Sequence, residues 1–376
     1  MRDLQEIRKE IDEIDDQIVA LYENRMKLTS EVAEYKIDTG KKIFDKEREE
    51  SKLTTLGQKA SCDFTRNGIR ELFEQIMAMS RKKQYQLLTE HGIVEKPEFQ
   101  NVDRLEVRNA RIVFQGLEGA YSQQAMEEFF GENCDNFHVD TWKDAMEAIA
   151  DGRADYAVLP IENSSAGIVS ENYDLLVEYD NYIVGEQIIK IDHALLGMPG
   201  AKESDIKSVY SHKQSLMQCS DFLEEHGDWE KCSLSNNAVA ARKICEDGRL
   251  DQAAIASARN AEIYGLHVLR ESIQNNKNNS TRFIIVTGER IYTRDAGRIS
   301  ICFEVKHESG ALYHALSHFI YNGINMTNIQ SRPLQNRNWE YRFFVDFEGR
   351  FGDEAVQNAL RGLKEETISL KILGTY

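Results

Sequence analysis

Leu4, Ile7, Ile11, Ile14, Ile18 and Leu21 recur at alternating steps of three and four, and the count continues through position 25 to Leu28, Val32 and Tyr35. Apolar residues at that spacing line one face of an α-helix. Neither Gly nor Pro interrupts the pattern before Gly40. It therefore predicts one helix of roughly 35 residues, about 50 Å long at ~1.5 Å per residue, too long to be stable without a partner. A shorter helix is expected from near Asp45, and a third long one through Ile69, Leu72, Phe73, Ile76, Met77, Leu87 and Leu88. Residues 1–90 are expected to form an all-helical domain.

From residue 91 to 109 the periodicity fades and charge, Gly92 and Pro97 appear, which predicts a linker. The character then changes. Over 110–288, short apolar runs ("RIVF", "YAVLPI", "YIVGEQIIKI", "AAIA", "RFIIV") alternate with helical stretches near 121–130, 142–150, 213–225 and 236–247, the signature of an α/β domain. The tail, 298–376, is expected to run strand (Ile299–Val305), helix (Ala311–Tyr321), strand (Met326–Ser331), strand (Tyr341–Phe347), helix (Glu354–Leu363), strand (Ile368–Leu373). That order is βαββαβ, a ferredoxin-like α+β unit.

Composition narrows the partners. A chain of 376 residues with 41% hydrophobic residues and a formal charge of -17 fits a soluble multidomain protein, and it argues against attachment to nucleic acid or an anionic membrane. The start is charged and helical, with no apolar stretch behind a basic head, so a cytoplasmic location is expected. Six scattered cysteines with no C-x-x-C pair offer neither a disulfide framework nor a metal site. His314 and His318 are four apart, yet lack the adjacent acid a metalloprotease helix requires.

Position 25 of the apolar spine is an arginine. A lone arginine there could snorkel to water. Others accompany it: Lys36 lies eleven residues on, close to three turns, on the same face, while Asp45, Arg48 and Glu49 share a face of the second helix. Ser80 and Gln84 interrupt the stripe of the third helix at i and i+4. Unpaired polar groups in a core cost roughly 1 to 3 kcal/mol each, so several converging ones point to a ligand. Cations beside neutral hydrogen-bonding groups describe a pocket for a small molecule with carboxylates, hydroxyls and an ether. Arg8 lies 17 residues before Arg25, about 25 Å up the helix and on another side, and cannot reach the same pocket in one chain. It would serve a partner's pocket in an isologous dimer.

On these residues the segment resembles the all-helical chorismate mutase domain. The resemblance covers about 90 residues, with Arg8, Arg25, Lys36, Asp45, Arg48, Glu49, Ser80 and Gln84 all on that family's substrate-binding positions. It implies the pericyclic conversion of chorismate to prephenate, which needs no acid, base or nucleophile. Lys36 and Gln84 would meet the ether oxygen, Arg25, Arg48 and a partner's Arg8 the carboxylates, and Glu49, Asp45 and Ser80 the hydroxyl and ring side.

In the α/β segment, "GLEGAYSQQA" (116–125) is a glycine-bearing loop opening a helix, with Ser122 as the expected N-cap. It lacks the dinucleotide fingerprint. "PIENSSAG", "SHKQS", "SNNA" and "ASARNA" place small polar residues at other strand-to-helix turns, where open α/β sheets bind ligands. "NSTRFIIV" sends a polar entry into an apolar strand, fixing Thr281 and Arg282 at the cleft edge. With "DYAVLPIENSSAG", "IDHALL", "VYSH", "YGLHVL" and "TRF" in order, residues 110–287 resemble prephenate dehydratase. The resemblance implies a two-lobed cleft of the type II periplasmic-binding-protein kind and decarboxylative loss of the ring hydroxyl to give phenylpyruvate. It makes Thr281 the hydroxyl that assists the leaving group, with Ser122, Glu162, Asn163, Gln214 and Arg282 binding prephenate.

"ESGALYHAL" (308–316) and "IQSRPL" (329–334) resemble the two effector signatures of the ACT domain. The resemblance implies L-phenylalanine bound by Gly310, Ala311, Leu312, Ser331, Arg332 and Pro333. Tyr313 and Gln330 depart from that pattern, where valine and an acidic residue are usual. The whole reads as a bifunctional chorismate mutase and prephenate dehydratase under phenylalanine control, a homo-oligomer (dimer or tetramer) needing no cofactor or metal. A mutase joined to prephenate dehydrogenase would need a nicotinamide fingerprint. A mutase joined to a catalytically silent amino-acid sensor would leave "TRF" without a task.

Overall fold

The computed structural model describes residues 2–93, 98–334, 337 and 339–376. Three helices come first: α1 (Leu4–Thr39), α2 (Lys46–Gly57) and α3 (Asp63–Glu90). Gly40, in the left-handed region, ends α1, and the Asp45 carboxylate caps α2 by accepting from the Arg48 backbone N–H. The apolar spine of α1 is not a core face in one chain. Its buried residues are Thr29 and Ala33, in the half that packs on α3, whereas Ile11, Ile14, Ile18, Leu21, Leu28 and Tyr35 are each more than half exposed. Arg25, half-buried, stands at the border between the packed and exposed faces.

The two-lobed domain follows. Strands Arg111–Gln115, Asp135–Val139, Tyr156–Asn163, Tyr182–Lys190 and Ser280–Thr287 belong to the first lobe. Strands Ala194–Gly197, Ser208–His212, Glu230–Leu234, Gln252–Ala256 and His267–Arg270 make the second. The chain crosses between lobes twice, at residues 191–193 and 271–279. Strand Gln252–Ala256 is buried on both faces, every residue of it. Gly119, at φ +89°, lets the 116–120 loop meet the second lobe, because a Cβ there would lie 2.2 Å from Asn260 Oδ1.

The tail folds as strand Arg298–Glu304, helix Ala311–Tyr321, strands Met326–Pro333 and Tyr341–Glu348, helix Glu354–Glu366 and strand Ser369–Thr375. Its sheet joins that of the first lobe where strand Ser369–Thr375 runs beside strand Tyr182–Lys190, paired at Gly374 and Ile183. A Cβ at Gly374 would sit 2.1 Å from the Ile183 carbonyl oxygen, so only glycine permits the seam. The expected linker is partly structured. Residues 94–97 lie outside the described residues, but Gln100–Val102 pairs with Ile291–Thr293, and Phe99, 2% exposed, packs on Tyr182 and Phe351 in the core of the tail domain. An aromatic anchor in a polar stretch carries no periodicity to betray it.

Candidate active sites

In the helical domain the polar residues of α1 and α3 meet. Arg25 Nη1 contacts Ser80 Oγ and lies 3.5 Å from the Ile76 carbonyl oxygen, while Gln84 Nε2 donates to the Ser80 carbonyl at 3.2 Å. Ser80 and Gln84 are each 6% exposed, and Gln84 Oε1 is buried without a partner. Such an orphan fits a pocket whose occupant would complete the bonding. Lys36 Nζ donates to the Ile43 carbonyl at 2.6 Å. Burial lowers the Lys36 pKa from its ordinary value; the charges of Asp45 and Glu49 oppose that shift and Arg48 adds to it, which places those three groups around the ammonium. Burial likewise lowers Arg25, with Tyr22 and Glu49 opposing.

Arg81, which the sequence did not single out, ties Glu49 down. Its guanidinium pairs with Glu49 and with Glu366 of the tail domain and stacks over Phe44. Burial opposes that charge, and Glu366 and Glu49 more than restore it. Arg48 is exposed, and Arg8 is exposed on the projecting half of α1, away from the pocket.

In the two-lobed domain, antiparallel pairing sets Thr281 opposite Asn163 and Arg282 opposite Glu162. Alternation along a strand therefore puts Thr281 and Asn163 on one face and Arg282 and Glu162 on the other. Asn163 Nδ2 donates to Thr281 Oγ1 (2.9 Å), Asn279 Oδ1 (2.9 Å) and the Ser280 carbonyl (3.2 Å). Its Oδ1 accepts from the backbone N–H groups of Ser165 (3.0 Å) and Ala166 (2.8 Å) and from Gln218 Nε2 at 3.5 Å. Two backbone donors fix which end of the Asn163 amide is oxygen, so its NH2 must face Thr281.

Three sequence expectations change here. Arg282 is not free for a substrate carboxylate: it lies 3.2 Å from Glu162, 3.6 Å from Glu186 and 3.2 Å from Asp346 of the tail domain. Burial opposes its charge, but Tyr376, Asp346 and Tyr173 outweigh burial and raise its pKa above the ordinary value. Ser122 is not the N-cap; Ala120 is, and the Ser122 hydroxyl donates to the Gln115 carbonyl. Gln214 is half-buried near the start of its helix, its backbone N–H meeting His212 Nδ1, while Gln218, one turn later, is the glutamine that reaches Asn163. Both stand in the same predicted helix, and only the helix's rotation selects between them.

Among the effector-signature residues, Gly310 caps helix Ala311–Tyr321, with Ala311 and Leu312 half-buried behind it. Ser331 and Pro333 are exposed on the strand, and Arg332 pairs through two nitrogens with Asp174 of the two-lobed domain. Gln330 Nε2 donates to Asn328 Oδ1 at 3.2 Å, and Tyr313 Oη accepts from Gln75 Nε2 of α3 at 3.4 Å. Among the described residues no group of three or more His, Cys, Asp or Glu is arranged to hold a metal ion, and no helix is long and apolar enough to cross a membrane.

Comparison with known proteins matches both regions. Residues 7–85 fit the family model of chorismate mutase type II, and residues 112–290 that of prephenate dehydratase. Over 378 residues the chain is 34% identical to the bifunctional chorismate mutase/prephenate dehydratase of Aquifex aeolicus (strain VF5), covering 100% of this chain and 98% of that one. The chain belongs to the bifunctional chorismate mutase/prephenate dehydratase family. The Escherichia coli (strain K12) bifunctional chorismate mutase/prephenate dehydratase is 31% identical, over 98% of this chain and 95% of its own. The crystal structure of prephenate dehydratase in complex with L-Phe from Arthrobacter aurescens superposes with a TM-score of 0.65 at 29% identity, covering 71% of this chain and 89% of that one. Within this bifunctional family, then, the helical domain corresponds to the mutase and the two-lobed domain to the dehydratase.

Proposed function

We propose that the chain converts chorismate to prephenate in its helical domain and prephenate to phenylpyruvate between its two lobes, with L-phenylalanine binding the tail. The mutase site works by orientation and fixed charge. Arg25 and Arg48 hold the two carboxylates in the folded conformer. Lys36 donates to the ether oxygen as its C–O bond breaks, as does Gln84 once its amide turns to bring Nε2 in place of the orphaned Oε1, and Glu49, Asp45 and Ser80 line the hydroxyl side. Arg8 completes the pocket of a second copy, whose helices cover the exposed apolar face of α1; the active species is at least a dimer.

In the dehydratase cleft the observation that carries the reading is the Asn163 amide donating to Thr281 Oγ1 at 2.9 Å. A hydroxyl oxygen that already accepts keeps its own proton free to donate. That proton points to the departing ring hydroxyl. As the ring carboxylate leaves as carbon dioxide, its bonding electrons aromatise the ring and expel hydroxide, which the Thr281 O–H stabilises and which takes one proton from solvent to leave as water. Ser122 would line the same cleft with Gln218, which stands in the place expected of Gln214, while Glu162 faces away with Arg282. Arg282 supports it from behind by joining Glu162 to Asp346 of the tail.

The tail is read as an ACT domain that takes L-phenylalanine on Gly310–Leu312 and Ser331–Pro333. Support comes from its βαββαβ order, and from the L-Phe carried by the Arthrobacter aurescens dehydratase. The test gives purified protein chorismate, without nicotinamide or metal, and follows prephenate and phenylpyruvate by mass spectrometry with and without phenylalanine. Phenylpyruvate that falls on adding phenylalanine is expected. Accumulating prephenate would remove the account of Thr281, and phenylalanine binding without turnover of prephenate would favour a silent sensor.

A further inference from the structure

We infer that His193 is a positioning residue of the dehydratase reaction, acting through Gln218 and Asn163 on Thr281. The inference rests on the assignment of Thr281 and Asn163 made above. His193 is 1% exposed and lies in 191–193, the first crossing between the lobes. It is strapped to the second crossing on both sides: its backbone N–H donates to Gln274 Oε1 at 2.9 Å, and its carbonyl accepts from the Ile273 N–H at 2.9 Å. Gln274 also donates to Asp192 Oδ1 at 2.9 Å.

The polarity of every bond follows from one fixed point. Asn163 Oδ1 is held by the Ser165 and Ala166 N–H groups, so a glutamine approaching it must present nitrogen. Gln218 therefore turns its Nε2 to Asn163 and its Oε1 to His193 Nε2, 3.0 Å away. A carbonyl oxygen only accepts, so His193 carries its proton on Nε2. Its Nδ1 is then an acceptor, 3.2 Å from the Tyr121 hydroxyl, whose single proton is shared between that nitrogen and the Asp192 carbonyl at 2.8 Å. Burial holds the imidazole pKa below its ordinary value, against the opposing Gln218 bond and Asp192 charge.

The result is a chain of hydrogen bonds running one way: His193 N–H to the Gln218 oxygen, Gln218 N–H to the Asn163 oxygen, Asn163 N–H to the Thr281 oxygen, and Thr281 O–H to the leaving hydroxyl. Chains of one direction polarise and strengthen their members. The third link joins residues of neighbouring strands, whereas the second crosses the cleft: Gln218 ends helix Lys213–Gln218 of the second lobe and Asn163 ends its strand in the first. His193, at the crossing, thus anchors the Gln218 amide that joins the two lobes and heads the chain that ends on Thr281. Without the imidazole N–H the Gln218 oxygen loses its partner, and the amide that bridges to Asn163 is held at one end only.

The test measures both activities of the same purified chain. His193→Phe is expected to lower dehydratase kcat by roughly 10- to 100-fold, the loss of about one hydrogen bond to a charged transition state, with KM changed less than about threefold and mutase activity native. His193→Gln, whose amide nitrogen reaches near the Nε2 position, is expected to restore most of the rate. In a Gln218→Leu background, His193→Phe is expected to cost less than about twofold more, because its route is already cut. A native kcat in His193→Phe, a His193→Gln no better than His193→Phe, or fully additive losses would each overturn the inference. Should His193→Phe unfold the lobes, His193→Asn takes its place, since its shorter amide satisfies Tyr121 without reaching Gln218; a native kcat there overturns the inference as well. Thr281→Ala separates the two claims: an active Thr281→Ala removes the site assignment, whereas an inactive one beside a fully active His193→Phe removes His193 alone.

Discussion

Changing Asn163 to aspartate alters almost nothing in shape and reverses the hydrogen bonding at the centre of the dehydratase cleft. The Asn163 NH2 faces three oxygens, at 2.9 Å (Thr281 Oγ1), 2.9 Å (Asn279 Oδ1) and 3.2 Å (Ser280 carbonyl). In Asn163→Asp a carboxylate oxygen faces all three. Asn279 can respond, because its Nδ2 is buried with no partner and a flip of its amide supplies a donor. Thr281 responds by donating its own proton to the new carboxylate. The Ser280 carbonyl keeps the Ser164 N–H at 2.9 Å and loses only the Asn163 bond, which costs about 0.5 to 1.5 kcal/mol of stability. The catalytic effect is separate: Thr281 no longer donates to the departing hydroxide, a bond to a charged group worth ~1.5 to 3 kcal/mol, or roughly a 10- to 150-fold fall in kcat. Phenylpyruvate formation from prephenate measures it, and chorismate consumption by the same preparation controls for folding. A kcat within about threefold of native would refute the reasoning, as would a further large loss when Asn163→Asp is added to Thr281→Ala.

Three further outcomes are expected. Mutase activity should fall as pH rises through the Lys36 pKa, since only the charged ammonium offsets the negative charge that grows on the ether oxygen, and burial sets that midpoint below the ordinary lysine value of 10.5; a pH–rate profile in which Lys36→Arg keeps the same alkaline fall would contradict it. Phe99→Ala should cost ~3 to 5 kcal/mol in denaturant unfolding, as expected for an aromatic lost from a core, whereas a true linker residue would cost almost nothing. Arg282→Met should destabilise the chain by about 3 to 5 kcal/mol, because Asp346 stays buried without its cation, while the KM for prephenate in the folded protein barely moves; a large rise in KM at unchanged stability would return Arg282 to the cleft.

Much of the molecule was legible one segment at a time. Helix and strand periods, Gly40 after the first helix and Asp45 before the second are local signals, and the structure places helix Ala311–Tyr321 at its expected bounds. Arg25, Ser80 and Gln84 stood out because polar side chains on an apolar stripe need a reason, and the structure brings all three together.

What the sequence could not decide was orientation between segments. Thr281 and Arg282 are neighbours in a quoted motif, yet the pleat sends them to opposite faces, one toward Asn163 and the other toward a carboxylate 64 residues away. Gln214 and Gln218 are equally plausible from composition, and the rotation of one short helix against the other lobe selects the second. His193 was visible within "IDHALL" without a role, because its partners Gln218 and Tyr121 come from 25 residues downstream and 72 upstream. Phe99 and Gly374 were silent for the same reason: one fills a core built by strands far along the chain, and the other admits a carbonyl from a different domain. Backbone propensity and hydrophobic period are properties of neighbours in sequence. The direction of a hydrogen bond and the face of a strand belong to the packed whole, where burial demands that each polar atom find its partner.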